Sequence, residues 1–334
     1  MTDAFILSLA YPETVVSHAS ERYARLVHYF GIGNRTHIRA GHAAFALIKK
    51  DTGRIEYFDF GRYTAPMGFG RVRGQETDFE LRLSISAEVE NDNIENLNEL
   101  MVFFATNPQL THGEGTLYAS VCHAINYDLA KKYISKLQNE GLIKYGAFKE
   151  DATNCSRFVT DTLIESTLNS QVKNKLIASK KFTPSTLGSV VLSSTDGSIY
   201  KVSERGEISE FKSTVRAVNR AMFWDKLKNY SPNPEGKTVP KENSIRDKNA
   251  QWLSGIGAGA WFELYDLGRS KLFRFRRVSA EGSIDCDGIY KTRNREFNYS
   301  KPYKFVHYSN CRFFHVKQNG FVYKFELHEE NPIP

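Results

Sequence analysis

The sequence predicts an α+β protein, in which a mixed N-terminal domain precedes a small all-β domain. In the N-terminal part, short apolar or alternating runs typical of strands are interspersed with segments of helical periodicity. The C-terminal part is instead rich in aromatic side chains and carries turn signals such as Asn319-Gly320, which is typical of antiparallel strands. We therefore expect a mixed domain over residues 1–212, a polar linker region over 213–249 and an aromatic-rich β domain over 250–334.

Apolar periodicity and turn residues give the order of elements before the linker. Gly53 supplies the positive φ that a tight hairpin turn needs, and Asn126 and Gly141 fit the two ends of a helix. The predicted elements are a strand over 5–11, a helix over 14–30, a hairpin of 42–49 and 55–62, a flexible glycine-rich loop over 67–74 at the rim of a cleft, strands over 79–89 and 116–122, helices over 94–107 and 126–140, a helix capped by Asn154 or Thr153, a helix over 169–180 and a hairpin signal at Asp196-Gly197 within 190–211.

Composition argues against a nucleic-acid-binding protein. The 334 residues are 41% hydrophobic and 25% charged, which is ordinary for a globular protein. The formal net charge of +7 is mild. The strongest basic stretch, residues 226–248, also carries three prolines and several asparagines, and no arginine-rich helix accompanies it. We expect no nucleic-acid partner.

The N-terminus and the cysteines predict a cytoplasmic protein. The chain begins Met-Thr-Asp, without the basic start of a signal peptide, and no apolar run is long enough to span a bilayer. The four cysteines are widely spaced and form no CxxC pair, which fits a reducing compartment. An unusual export route would leave no trace in such a sequence.

Two residues predict a catalytic pair. Cys155 follows Asn154 at the start of a predicted helix, where unpaired N–H groups and the positive end of the peptide dipoles favour thiolate over thiol. His42 follows Gly41 at the start of a predicted strand. A thiolate becomes a useful nucleophile when an imidazole close by holds and transfers a proton.

The hairpin offers two acidic candidates for orienting the imidazole. If Thr52-Gly53 forms a two-residue turn, residues 55, 57, 59 and 61 share a sheet face with 42, 44 and 46. Asp59 then lies on the side of His42, and Glu56 lies on the other side. The same register sets Tyr63 directly opposite His42, so Asp59 would need a bulge or a diagonal reach. The choice between Asp59 and Glu56 stays open.

Other chemical motifs point to no further site. Cys122 and His123 are neighbours on a predicted strand and should face opposite sides of the sheet. The spacing of Cys286, His307, Cys311 and His315 matches no common structural zinc pattern, so we expect no zinc site there. The aromatic C-terminal domain is expected to pack its rings in a core, and exposed rings there are candidates for stacking on a ligand.

Three segments together resemble a known superfamily. They are Gly41-His42 with the following hairpin, Asn154-Cys155 opening a helix, and Thr183-Pro184-Ser185 shortly after it. Over residues 1–190 this arrangement resembles the circularly permuted branch of the NlpC-type papain-like cysteine hydrolases. Chain-wide it resembles bacterial proteins that add a β-rich tail to such a domain.

The resemblance implies a permuted papain-like fold and a cysteine hydrolase acting on an amide, ester or thioester through an acyl-enzyme. It implies that Cys155 is the nucleophile, His42 the general base and Asp59 the orienting residue, with no cofactor. The expected partner is a peptide, lipid or other acyl-containing substrate. Two alternatives remain: a non-catalytic binding protein on the same scaffold, and an acyltransferase using the same pair.

Overall fold

A computed structural model describes residues 1–17, 29, 32–34, 37–146, 151–181, 184–228, 247–255, 257–269, 271–280, 282–293 and 296–331. Within these residues the chain forms two large antiparallel sheets. All the described α-helices lie in the part that carries the first sheet, and the second sheet stands without helices. The predicted combination of a mixed part followed by an all-β part is confirmed.

The first sheet has eight strands in the order β10-β6-β5-β4-β1-β9-β11-β12, and every neighbouring pair is antiparallel. Strands β2 and β3 pair separately, as do β7 and β8. The strands of this part are β1 (Ala4–Tyr11), β2 (Val15–Ser17), β3 (His37–Arg39), β4 (His42–Lys49), β5 (Ile55–Gly61), β6 (Phe69–Arg73), β7 (Val89–Glu90), β8 (Asn93–Ile94), β9 (Leu117–Ile125), β10 (Ile143–Lys144), β11 (Tyr200–Val202) and β12 (Ile208–Glu210).

Helices cover both faces of this sheet. One face packs against α1 through Leu100, Met101 and Phe104, and the other packs against α3, α4 and α5. Because both faces are buried, β1 and β4 read as nearly continuous apolar runs. The helices are α1 (Leu97–Thr106), α2 (Pro108–Thr111), α3 (Tyr127–Glu140), α4 (Cys155–Ser166), α5 (Ser170–Ser179), α6 (Thr186–Ser193) and α7 (Val215–Phe223).

The β4–β5 hairpin has the predicted face but not the predicted register. Asp59 pairs with Ala44, which sets Gly61 rather than Tyr63 opposite His42. The cause is the turn, because the Lys49 N–H bonds the Arg54 carbonyl and the loop therefore holds four residues instead of two. Each change of two residues in register preserves the side of the sheet, so Asp59 still lies on the side of His42.

Three predicted elements are wrong. The glycine-rich segment 67–74 is not a flexible loop but contains β6, whose buried arginines form ion pairs with acids inside the fold. Segment 79–89 holds only a 3₁₀ turn, Phe79–Leu81, and the start of β7, since Phe79 packs into the aromatic C-terminal core instead of a sheet. The Asp196-Gly197 turn joins helix α6 to β11 and closes no hairpin.

Other predictions overlap residues outside the described ranges. The segment predicted as a helix over 14–30 begins with strand β2, and residues 18–28, 30 and 31 are not described. The linker region contains helix α7, and residues 229–246 are not described. Thr183 also lies outside, whereas Ser185 caps α6 by accepting the Gly188 N–H. The predicted three-part division stays a prediction.

The second sheet is a near-barrel with an aromatic core. Its seven strands run in the order β13-β14-β15-β16-β19-β18-β17. Gln251 on the first edge strand bonds backbone groups of Tyr303 and Phe305 near the last edge strand, which brings the two edges together. The strands are β13 (Gln251–Leu253), β14 (Ala260–Arg269), β15 (Leu272–Ser279), β16 (Ile284–Thr292), β17 (Lys304–Val306), β18 (Phe313–Gln318) and β19 (Phe321–Glu330).

The interior of the near-barrel consists of tightly packed rings. Phe275 stacks on Phe314 with ring centroids 4.2 Å apart, and Phe314 stacks on Phe325 at 4.7 Å. The aromatic side chains of this part therefore pack in a core, as expected. Among the described residues, no helix has both the length and the apolarity needed to cross a membrane.

Candidate active site

The catalytic pair predicted from the sequence sits at the start of two neighbouring elements. Cys155 is the first residue of α4, and the Asn154 side chain caps that helix by accepting the Arg157 N–H at 2.9 Å. Capping with Asn154 rather than Thr153 leaves the Cys155 N–H at the open helix end. His42 is the first residue of β4, opposite Tyr11 of β1.

The sulfur and the imidazole meet at the end of the sheet, although they come from opposite faces. His42 lies on the face of Ala44 and Ala46, which α1 covers. Helix α4 packs on the other face, where Cys155 belongs to the core. Burial raises the thiol pKa of Cys155, but hydrogen bonding with the His42 side chain and with the backbone of Ala43 lowers it, which puts the start of α4 beside the first residues of β4.

Asp59 lies beside His42 and is paired with a buried arginine. Its Oδ2 is 3.3 Å from His42 Nε2. Arg73 of β6 forms a two-pronged contact with the same carboxylate, Nε to Oδ1 at 2.9 Å and Nη2 to Oδ2 at 2.6 Å. Because Asp59 engages Nε2, the ring nitrogen that remains for the Cys155 sulfur is Nδ1.

Two tyrosines complete the surroundings of the carboxylate. The hydroxyls of Tyr57 and Tyr63 each donate to Asp59 Oδ2 at 3.1 Å. The Tyr63 hydroxyl is also 3.4 Å from His42 Nε2. Gly61 makes room for this arrangement, because a Cβ at that position would lie 2.3 Å from the Tyr63 ring. The imidazole is thus held by a carboxylate that is itself fixed by several donors.

Glu56, the second acidic candidate, lies away from His42. Its carboxylate contacts Arg54 at 2.8 Å, Lys131 at 3.0 Å and the Tyr127 hydroxyl at 3.0 Å. These partners lie on the sheet face opposite the imidazole, as the alternation along β5 requires. The structure therefore brings Asp59, and not Glu56, to the predicted pair.

The site favours a thiolate–imidazolium pair. Burial lowers the pKa of His42, but hydrogen bonds to Asp59 and Cys155 outweigh burial and raise the pKa to about 9. Burial raises the pKa of Cys155, yet the hydrogen bond and charge of His42, with smaller help from Ala43 and Ser156, leave the thiol pKa below its ordinary value. Between these two pKa values the sulfur is negative and the ring is positive.

Arg73 keeps the orienting carboxylate ionised. Burial alone would raise the pKa of Asp59, but the charge of Arg73 and the bond to His42 hold that pKa far below its usual range. A second imidazole, His112, packs against the Tyr63 ring at a tilt, with ring centroids 5.0 Å apart. Burial and then the charge of Arg73 lower the pKa of His112 to about 3, so this ring stays neutral and only packs.

Tyr145 packs against the apolar core that contains Cys155. Its ring stacks on Phe60 at 6.0 Å, and the Arg62 guanidinium lies 4.7 Å above it. Burial, followed by the negative charge on Cys155, raises the pKa of Tyr145 to about 12. The phenol therefore stays protonated at neutral pH.

The remaining cysteines are buried in other surroundings. Cys122 lies 3.8 Å from the Thr167 hydroxyl, and burial raises its thiol pKa. His123 bonds Thr195 instead, which agrees with the predicted separation of Cys122 and His123. Cys286 and Cys311 lie in the core of the near-barrel. Among the described residues no group of histidines, cysteines and acids is arranged to hold a metal ion.

The sequence reasoning missed Arg73, Tyr57 and Tyr63 as parts of the site. The only available signal was strand alternation: residues 57 and 59 share a face, and a short Phe-Gly-Arg-Val-Arg run is compatible with a third strand. An arginine beside a glycine is typical of a loop, unless an acidic partner that would let the arginine be buried is known. Asp59 was that partner.

Comparisons with known proteins point to a family. Residues 6–172 match the family described as type VI secretion system effector TseH-like, and residues 250–328 match the family described as DUF6695 C-terminal domain. The crystal structure of the type VI secretion system effector TseH aligns with 63% of this chain and 99% of its own, at 17% identity and a TM-score of 0.41. A search of curated proteins finds no match.

Proposed function

The chain belongs to the TseH-like family of type VI secretion system effectors, and we propose that it is an effector that acts as a cysteine hydrolase on amide bonds. Cys155 is the proposed nucleophile, His42 the proton carrier and Asp59 the orienting residue. A permuted papain-like arrangement of the first sheet and α4 is part of the same proposal. Delivery by a secretion machine would replace the cytoplasmic location predicted from the N-terminus.

The proposed reaction has two halves. The Cys155 thiolate attacks the carbonyl carbon, and a C–S bond forms as the carbonyl oxygen becomes an oxyanion. His42 then donates its proton to the amide nitrogen, the C–N bond breaks and the amine leaves. In the second half neutral His42 takes a proton from water, the resulting hydroxide attacks the thioester, and the acid and the Cys155 thiolate are released.

Asp59 has an electrostatic and orienting role in this scheme. It holds Nε2 and leaves Nδ1 toward the sulfur, and its charge stabilises the imidazolium. Because Oδ2 already accepts from Arg73, Tyr57 and Tyr63, the carboxylate has no need of the imidazolium proton. The proton stays on His42 until the leaving amine takes it.

The observation that carries the proposal is the convergence of three groups: Cys155 opens the capped helix α4, His42 opens β4, and Asp59 Oδ2 lies 3.3 Å from His42 Nε2. The pKa values of the first two groups are displaced in opposite directions, which supports the proposal. The thiol pKa of Cys155 is lowered while the pKa of His42 is raised to about 9. A buried structural cysteine shows the reverse, as Cys122 does. Groups tuned in this way in contact with each other are typical of cysteine nucleophiles.

Alkylation by iodoacetamide tests the pair directly. At pH 6.5 an ordinary thiol with a pKa of about 8.5 is only about 1% thiolate. We expect Cys155 to react rapidly there, and the His42→Ala variant to react on the order of 10–100 times more slowly because its thiol pKa rises. The measurement is the alkylated fraction of the Cys155 peptide over time by mass spectrometry.

The other cysteines are the internal control for this experiment. Cys122 should remain unmodified in the folded protein, because it is buried and its pKa is raised. Equal and slow labelling of all four cysteines, or a rate for Cys155 that does not depend on His42, would favour the non-catalytic binding protein. The bond that is cut is then sought among muropeptides, acyl lipids and proteins by measuring newly released amino groups.

Oxyanion stabilisation provides a separate prediction. The Cys155 N–H at the helix start and the Tyr145 hydroxyl are the proposed donors to the oxyanion. The Tyr145→Phe variant should keep its thiolate and its alkylation rate but lower kcat by about 10²-fold, because it lacks one donor. Tyr133→Phe, on helix α3, is the matched control and should leave kcat unchanged. A kcat within twofold of wild type in Tyr145→Phe would remove Tyr145 from the mechanism.

A further inference from the structure

The near-barrel is attached to the chain segment that carries Tyr63. The Thr64 N–H donates to the Ala258 carbonyl at 2.7 Å, and the Gly257 N–H donates to the Arg62 carbonyl at 3.1 Å. Tyr63 and Ala258 therefore form a parallel bridge between the two parts. Gly255 permits this approach, because a Cβ there would lie 2.5 Å from the Thr64 nitrogen. The backbone of a site residue is thus held by the C-terminal part.

A second attachment runs through buried charges. Arg277 of β15 donates to Asp78 at 3.1 Å and to Glu80 at 2.8 Å, both in the N-terminal part. Both terminal nitrogens of Arg71 in turn donate to the Asp78 carboxylate at 2.6 Å. Arg71 closes the chain, because its Nε donates to the Tyr63 carbonyl at 2.9 Å.

These contacts form a continuous path from the near-barrel to the imidazole. The Arg277, Asp78 and Arg71 side chains are each at most 4% exposed, so solvent screens them little. At the far end the Tyr63 hydroxyl contacts both Asp59 and His42. A shift of the Tyr63 backbone would move that hydroxyl away from the ring it helps to hold.

We propose that Arg277 is a positioning residue for the active site, acting on His42 through Asp78, Arg71 and Tyr63. The near-barrel would then be a structural part of the catalytic unit rather than a separate binding domain. This inference rests on the proposed function, because it concerns the same cysteine–histidine pair. It assigns a role to the C-terminal part that its aromatic core alone does not suggest.

The test compares two neighbouring arginines of β15. Arg277→Met removes the ion pairs with Asp78 and Glu80 of the N-terminal part, and one with Asp285. Arg276→Met removes an ion pair with Glu263 that lies within the near-barrel. Iodoacetamide alkylation of Cys155 is followed from pH 5 to pH 9 in each variant. We expect Cys155 in Arg277→Met to be alkylated about tenfold more slowly at pH 6.5, and its rate to rise at higher pH than in wild type. The reason is that catalytic geometry tolerates little displacement. Arg276→Met should stay within about twofold of wild type, since it acts far from the pair.

Folding is checked by circular dichroism and thermal unfolding. Burial raises the pKa of Glu80 and raises that of Asp285, a third Arg277 partner, to about 7, so protonation limits the cost of leaving them unpaired. If Arg277→Met does not fold, Arg277→Lys carries the test. Lysine keeps the positive charge but lacks the two-pronged guanidinium. We expect Cys155 alkylation to be about threefold slower in Arg277→Lys and unchanged in Arg276→Lys.

The outcomes separate the two proposals. Wild-type alkylation that does not depend on His42 would end the proposed function itself. A reactive wild type together with an unchanged rate in the folded Arg277 variant, or with equal slowing in the Arg276 control, would overturn the positioning role alone. Slowing confined to Arg277→Met, with partial recovery in Arg277→Lys, supports it.

Discussion

Replacement of Cys155 by alanine is expected to lower turnover by about 10⁴–10⁶-fold, because loss of the proposed nucleophile would remove the proposed acyl-enzyme route. Stability should change by only about 1 kcal/mol, since a small side chain is lost from a site that is 7% exposed. The measurement is the rate of amine release from whichever muropeptide, acyl lipid or protein the wild-type protein cleaves. Unfolding in urea shows that the variant is folded.

Cys122→Ala is the matched control for this result. It removes another buried thiol from the same core, so any general effect of losing a cysteine should appear in both variants. Its turnover is expected to match that of wild type. If the Cys155→Ala protein retained more than about a tenth of the wild-type rate, far above what loss of a nucleophile leaves, the nucleophile would have to be sought elsewhere.

Replacement of Arg73 by methionine is expected to destabilise the protein by about 3–5 kcal/mol, because it leaves the buried Asp59 carboxylate without its arginine partner. The pKa of Asp59 is lowered in the folded state, so this pair stabilises the protein above the unfolded-state pKa of about 3.9 and loses that contribution as the pH falls. Urea unfolding at pH 7 measures the loss. The difference between wild type and variant should shrink at acidic pH.

Arg54→Met is the control for the Arg73 experiment. Arg54 pairs with Glu56, which lies on β5 as Asp59 does, but the Arg54 side chain is 57% exposed. Exposed pairs of this kind contribute about 0–1 kcal/mol, so a small effect is expected. Equal losses in the two variants would mean that the Asp59–Arg73 pair is not the buried, stabilising contact described above.

Local rules were sufficient to predict where Cys155 and Asp59 lie on their own elements, whereas the pairing of Cys155 with the distant His42 was expected from the resemblance to a family. Helix capping by Asn154 fixed the position of Cys155, and strand alternation put Asp59 on the side of His42. The register error did not matter for this purpose, since a four-residue turn in place of a two-residue turn moves the pairing by an even number. The sheet face on which a side chain lies is therefore predicted more reliably than its exact cross-strand partner.

The parts that were missed depend on long-range partners. Arg71 and Arg73 disfavour a buried strand until Asp78 and Asp59 are known to face them, and neither pair is visible as a local pattern. Phe79 suggested a strand but packs into the distant near-barrel. Charge pairing and packing between the two parts of the chain overrode local propensity here.

The placement of the pair on opposite faces of the first sheet has a consequence for the newly made chain. His42 reaches its position with the layer that contains α1, and Cys155 with the layer that contains α4. Until both layers have assembled, the sulfur lacks its imidazole and keeps the pKa of an ordinary thiol, about 8.5. Folding itself would therefore activate the proposed nucleophile, and a chain transported in unfolded form would carry only an ordinary thiol.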